Sequence, residues 1–168
     1  LALLLPLGAL AAEREVIIAH MFAQGSLPDQ AAGLLREDIA TIPDLRGVEV
    51  IPQARLGDER DNLRQLQKGE IEFAVVGDLV IEYLTPQYRP ISLPFTHKSA
   101  QEALAVYDGR LGEEIKQSLR EFGIEVLSYH CIGQRMLTAN RPIRTLKELQ
   151  GLKLRLPPAA TWMTTWKA

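Results

Sequence analysis

A chain of 168 residues, 46% hydrophobic and 24% charged, has the composition of a globular protein, which excludes a disordered tail and a collagen-like repeat. Its formal net charge of −2 gives no basic excess with which to neutralise phosphates, so nucleic acid is not an expected partner. Cys131 is the single cysteine, so neither an internal disulfide nor a cysteine-built metal site can form.

An exported location stays open, because many exported domains rely on core burial alone. Residues 1–12, LALLLPLGALAA, carry no charge and end in small residues. Ala9-Leu10-Ala11 fits an A-x-A processing signal. The apolar run before it has the length of a signal-peptide core and is too short to span a bilayer as a helix. Glu13-Arg14-Glu15 restores polarity where a mature N-terminus is expected. Residues 1–12 are therefore read as a signal-peptide remnant, with no initiating Met or basic segment before it. The competing reading is a buried N-terminal helix.

Glu15 to Ala19, EVIIA, suits a buried strand, and His20 to Leu27 a loop. Ser26 and Asp29 are spaced as a capping box around Pro28, opening a helix with Leu35, Ile39 and Ile42 on one face and Pro43 as its stop. Val48 to Ile51 is a second strand. A helix from Asp58 turns Leu63 and Leu66 inward and ends at Lys68-Gly69. Ile71 to Gly77, IEFAVVG, is apolar enough to be a strand covered on both faces.

A loop marked by Pro86, Pro90 and Pro94 follows, then the Ser99/Glu102 capping box and a helix through Tyr107. Leu111, Ile115, Leu119 and Phe122 fall at helical spacing, with Gly123 placed to cap them. Ile124–Tyr129 and Met136–Ala139 are expected strands. Thr145 and Glu148 cap one helical turn that Gly151 closes. In GLKLRLPP (151–158), Leu152, Leu154 and Leu156 alternate with Lys153 and Arg155, predicting a strand with one apolar face. Pro158 then begins a helical pattern carrying Trp162 and Trp166. Strands alternating with helices predict an α/β architecture with a largely parallel sheet. With no C-terminal stop signal on the last helix, the chain is expected to be a fragment.

The sequence offers little for catalysis. His130 and Cys131 are neighbours, which on an extended segment point to opposite faces and form no dyad. His20 and His97 sit in no ligand-like spacing, and HExxH, GxSxG, Walker and GxGxxG motifs are absent. No enzyme activity, metal or cofactor is expected. Two arginines stand out. Arg135 follows Gly133-Gln134, and Arg155 closes the predicted strand at 152–156. Guanidiniums at strand ends of an α/β fold suit bidentate binding of a carboxylate, and the helix opening after Pro157-Pro158 is expected to add its first amides. On spacing alone, two solvated arginines are the simpler reading.

The order of motifs resembles the solute-binding subunit of tripartite ATP-independent periplasmic (TRAP) transporters, the DctP-type family. The matching pieces are ARLGDERDNLRQLQKGEIEFAVVG (54–77), ISLPFTHKSAQEAL (91–104), GQRMLTANRPIRTLKELQGLKLRLPP (133–158) and WMTTWKA (162–168). The resemblance implies a periplasmic-binding-protein-like fold of two hinged α/β domains. Residues 13–132 would form most of the first and 133–168 the start of the second. It implies that Arg155 clamps a substrate carboxylate and that Arg135 is a second contact. The loop around His20, and Gly77 and Asp78 at the end of the third strand, would line the same cleft; Asp78 would repel an anion unless it pairs or meets a hydroxyl or amine. The implied partners are a small organic acid and the subunits of an ion-coupled TRAP permease, the membrane being reached only through that permease. A solute-binding protein of an ATP-driven importer, or an exported enzyme acting on an anionic substrate, are the alternatives.

Overall fold

The computed structural model describes residues 15–43, 45 and 47–167; the predicted signal segment, with Glu13 and Arg14, lies outside the described residues. The chain divides into two compact units, Leu1–Gly77 and Asp78–Ala168.

The first unit is organised by β1 (Val16–His20), the middle strand of a three-stranded parallel sheet in the order β2-β1-β3, with β2 at Val48–Ile51 and β3 at Phe73–Val75. Ile18 of β1 pairs with Val50 on one side and Phe73 on the other, and both Ile18 and Ala19 are completely buried. A fully buried Ile contributes about 1.5–3 kcal/mol, which is why the most apolar run takes the central position. Over it lies α1 (Leu27–Ile39), which buries Ala32 and Ile39 against Val16 and Ile18. The helix α2 (Glu59–Lys68) connects β2 to β3 and buries Leu63, with Leu66 half-buried. Asp58 caps it by accepting from the Arg60 and Asp61 amides, while Asp61 accepts from the Asp58 amide. Gly69, left-handed at φ 67, closes it.

Three expectations in this unit are corrected. The Ser26 hydroxyl makes no cap bond; Asp29 instead accepts from the Gly25 amide at 2.7 Å and from the buried His20 ring, which draws the carboxylate away from the capping geometry. α1 ends at Ile39, so Ile42 has left the helical phase and is 52% exposed. β3 is half-buried and lies at the sheet edge among the described residues, rather than being covered on both faces.

The second unit begins with α3 (Leu79–Leu84) and a 3-10 turn (Pro86–Ser92), where a proline-marked loop is the sequence expectation. α4 (Ala100–Tyr107) starts on Ser99, whose hydroxyl accepts from the Glu102 amide, and α5 (Arg110–Arg120) buries Ile115 and Leu119 as the periodicity predicts. A second 3-10 turn, Leu146–Leu149, carries the predicted Thr145/Glu148 capping box, and α6 spans Ala160–Thr165. The segments 124–129, 136–139 and 152–156 are not strands: no ladder partner faces them among the described residues. Alternation encodes which face a side chain takes, not which backbone it pairs with. The predicted alternation survives at 152–156, where the leucines are half-buried and Lys153 and Arg155 exposed.

The close approach of α5 to the end of α4 depends on Gly112. A Cβ there would lie 1.6 Å from the Tyr107 carbonyl oxygen, so the two backbones approach too closely for any side chain. Gly112→Ala is expected to lower stability by about 2 kcal/mol or more. Gly33→Ala, in α1 with no atom within 4 Å of an added Cβ, is expected to raise it by about 0.5–1 kcal/mol. Urea midpoints of the two variants of the full-length protein check the pair, and similar shifts in both would contradict the close approach.

Candidate functional site

Among the predicted site residues, His20 and Gly77 belong to the first unit, and Asp78, Arg135 and Arg155 to the second. Each is described within its own unit.

His20 ends β1 with its side chain fully buried, its Nε2 3.1 Å from Asp29 Oδ1 and its Nδ1 without a partner. The Gly77 amide donates to the buried Glu59 carboxylate at 2.6 Å, and a Cβ at Gly77 would lie 2.8 Å from that same oxygen. A side chain at 77 would require the Glu59 carboxylate to shift. The first unit also has a polar depression of about 410 Å³ lined by Gln24, Asp29, Gln30, Arg36, Gln53 and Arg55 among others; none of the predicted site residues lines it.

In the second unit, Asp78 is the N-cap residue of α3 and makes no side-chain cap bond. Its charge acts on Tyr107, whose hydroxyl pKa is pushed up to about 12 by burial first and by Asp78 second. Tyr107 packs against Tyr129 at 5.0 Å between ring centroids. Tyr129 donates to the Gly112 carbonyl at 3.1 Å and is likewise pushed up to about 12, by burial and then by Glu113. Both phenols therefore stay neutral and act as packing groups. Near the lone cysteine, His130 meets Ser128 Oγ at 2.9 Å. Among the described residues no cluster of His, Cys, Asp or Glu could hold a metal, and no helix is long and apolar enough to cross a membrane.

Not every arginine of the second unit meets a carboxylate. Arg110 pairs with Glu114, and Arg120 holds Glu125 through two bonds of 2.7 and 2.8 Å. Arg155 and Arg135 are exposed and meet no carboxylate among the described residues. The cause is compositional: from Val126 to Ala168 the only acid is Glu148, against seven Lys and Arg. Glu148 is already engaged as the cap of its own turn, accepting from the Arg144 and Thr145 amides. Arg135 instead lies over the Trp162 ring, its guanidinium carbon 4.4 Å from the centroid.

The expected contribution of the last helix to an anion site is corrected. The start of α6 is filled from within the chain by Glu82 of α3, a carboxylate only 4% exposed. Glu82 Oε1 accepts from the Ala160 and Thr161 amides, and Oε2 from the Thr161 hydroxyl. These are the orphan donors that a free anion would otherwise take. Glu82 and the Arg135–Trp162 stack are what sequence reasoning missed. Both join residues far apart in the chain, and no spacing signals either.

Bonds from neutral donors to a buried carboxylate contribute about 1.5–3 kcal/mol each. Glu82→Ala is accordingly expected to destabilise the protein by about 2 kcal/mol or more, read as a drop in urea midpoint; a neutral outcome would mean that the α6 amides find other acceptors. For the tyrosines, a folded pKa near 12 against an ordinary value of 10 favours the neutral form in the native state. Their stabilising contribution is complete below about pH 10 and fades as pH rises toward 12. Phenolate absorbance should therefore show two of the tyrosines titrating late, and their titration at the ordinary value would contradict the packing.

The family model for bacterial extracellular solute-binding protein, family 7 (DctP), matches residues 18–168. A solute-binding protein of Roseobacter denitrificans is 29% identical over 162 residues, covering 95% of this chain and 50% of that protein. The C4-dicarboxylate-binding periplasmic protein DctP of Vibrio cholerae is 28% identical over 109 residues, covering 65% of this chain and 33% of that protein. A solved TRAP periplasmic solute-binding protein of Bradyrhizobium, in complex with α/β-D-galacturonate, matches with a TM-score of 0.81 at 26% identity, over 92% of this chain and 52% of that one. The chain thus spans about half the length of relatives that it matches over nearly all of its own. With its parallel α/β sheet and a family match that includes both unpaired arginines, the chain belongs to the DctP family of extracellular solute-binding proteins.

Proposed function

We propose that this is the periplasmic solute-binding protein of a TRAP system, a binding protein rather than an enzyme, which captures an organic acid and delivers it to an ion-coupled membrane permease. Residues 13–132 would supply most of one lobe and 133–168 the start of the other, with 1–12 the remnant of an export signal. The ligand class favoured is a monocarboxylate sugar acid, with C4-dicarboxylates second. D-galacturonate is bound by the Bradyrhizobium protein, and a C4-dicarboxylate gives the Vibrio cholerae protein its name.

The observation that carries the reading is the pair of exposed, unpaired guanidiniums in a segment nearly devoid of acids. Arg155 is the principal ligand and Arg135 the second contact. A carboxylate taken from water gains most from a planar fork that can donate twice, which an ammonium cannot reproduce. His20, Gly77 and Asp78 are kept as candidate ligand contacts, each within its own unit. The His20 ring is buried against Asp29, so any contact there passes through its neighbours.

A thermal-shift screen of the full-length protein against D-galacturonate, D-glucuronate, succinate and malate tests the ligand class, since binding to the native state alone raises its apparent stability. Arg155→Ala is expected to weaken binding by about thirtyfold or more and Arg135→Ala by less, measured by calorimetry. Near-native affinity in Arg155→Ala would overturn the assignment, and a larger loss in Arg135→Ala would reverse the order of the two. Turnover of any of these acids would instead support the exported-enzyme reading.

A further inference from the structure

We propose that Trp162 is the positioning residue of Arg135: its indole face fixes the guanidinium plane so that the in-plane N–H donors are held ready for a ligand carboxylate. The inference rests on the proposed function above.

Arg135 lies in an exposed stretch that belongs to no helix or ladder, just after Gly133 with its left-handed φ of 117. Among the described residues no turn or loop backbone hydrogen bond anchors 132–139. No acid pairs with it among the described residues. Among the described residues its guanidinium lies over the Trp162 ring, 4.4 Å from the centroid. A cation over an indole face is attracted by the ring quadrupole. No acceptor for the Arg135 N–H donors is found among the described residues, so they stay available to a ligand.

The ring that serves as platform is itself held. Trp162 is half-buried, and its indole N–H is buried with no acceptor, so packing and the cation, not a hydrogen bond, set its position. It sits in the first turn of α6, whose leading amides are gripped by Glu82. The same segment carries Arg155 just upstream. The anchored start of α6 therefore holds the ring against which Arg135 lies.

The test is a double-mutant cycle in the full-length protein, with affinity for D-galacturonate, D-glucuronate and succinate measured by calorimetry. Trp162→Leu is expected to weaken binding about two- to fivefold, the cost of the lost cation–ring contact. Trp162→Phe, which keeps an aromatic face, should recover most of that loss. In an Arg135→Ala background, Trp162→Leu should cost nothing further, a coupling that a merely structural role would not produce. In parallel, the Arg135 Nε–H proton resonance, assigned by its loss in Arg135→Lys, should be shifted by the ring current in wild type. It should move to the ordinary arginine position in Trp162→Leu. If wild type binds and Trp162→Leu matches it, or costs the same with and without Arg135, this inference is overturned while the proposed function stands. If wild type binds none of the three acids, the proposed function falls and this inference falls with it.

Discussion

The second unit turns on a carboxylate placed against the start of a helix. Two amides and a hydroxyl at the head of α6 converge on Glu82, which is almost entirely buried. Left alone, those donors would need water or a solute, and the helix is only six residues long, too short to persist on its own propensity. With Glu82 in place, α6 has a fixed origin. Trp162 takes its position from that origin and Arg135 its orientation from Trp162. The geometry of the candidate site therefore depends on a residue that need not touch a ligand.

The first unit solves a different problem with the same device. A parallel sheet leaves polar groups at the strand ends that no neighbouring strand reaches. Side-chain carboxylates meet some of them: Glu72 accepts from the Ile17 amide at 2.9 Å, Glu59 from Gly77 at 2.6 Å, and Asp29 ties His20 to the Gly25 amide. Burying an acid is costly unless it is fully bonded. Each of these has a backbone donor, and the bonds fix where the chain leaves the sheet.

Much of this was legible in the sequence where the signal is local. The Asp58 and Thr145 caps, the Ile115/Leu119 stripe and the turn glycines at 69, 123 and 151 are all decided by residues within a few positions of one another. Arg135 and Arg155 could be singled out by their place in motifs. Where distant residues compete, local reading failed. Asp29 had the spacing of a capping acid, but His20 takes its carboxylate. α3 was missed because LVIEYL has no polar face to give it a period, its one acid being buried as the Glu82 anchor. The expected strands at 124–129, 136–139 and 152–156 had the alternation of strands. Alternation alone supplies no ladder.

An anion that belongs to the chain behaves differently from one borrowed from solution. A borrowed phosphate or sulfate leaves when its concentration falls, and the helix start it neutralised loses its partner. Glu82 is covalently tethered, so its effective concentration at the α6 amides is set by the fold and not by the medium. Being buried, it is also little screened by salt. The docking of α6 should then be indifferent to the ionic composition around the protein, and an anion that does arrive finds the α6 amides already taken.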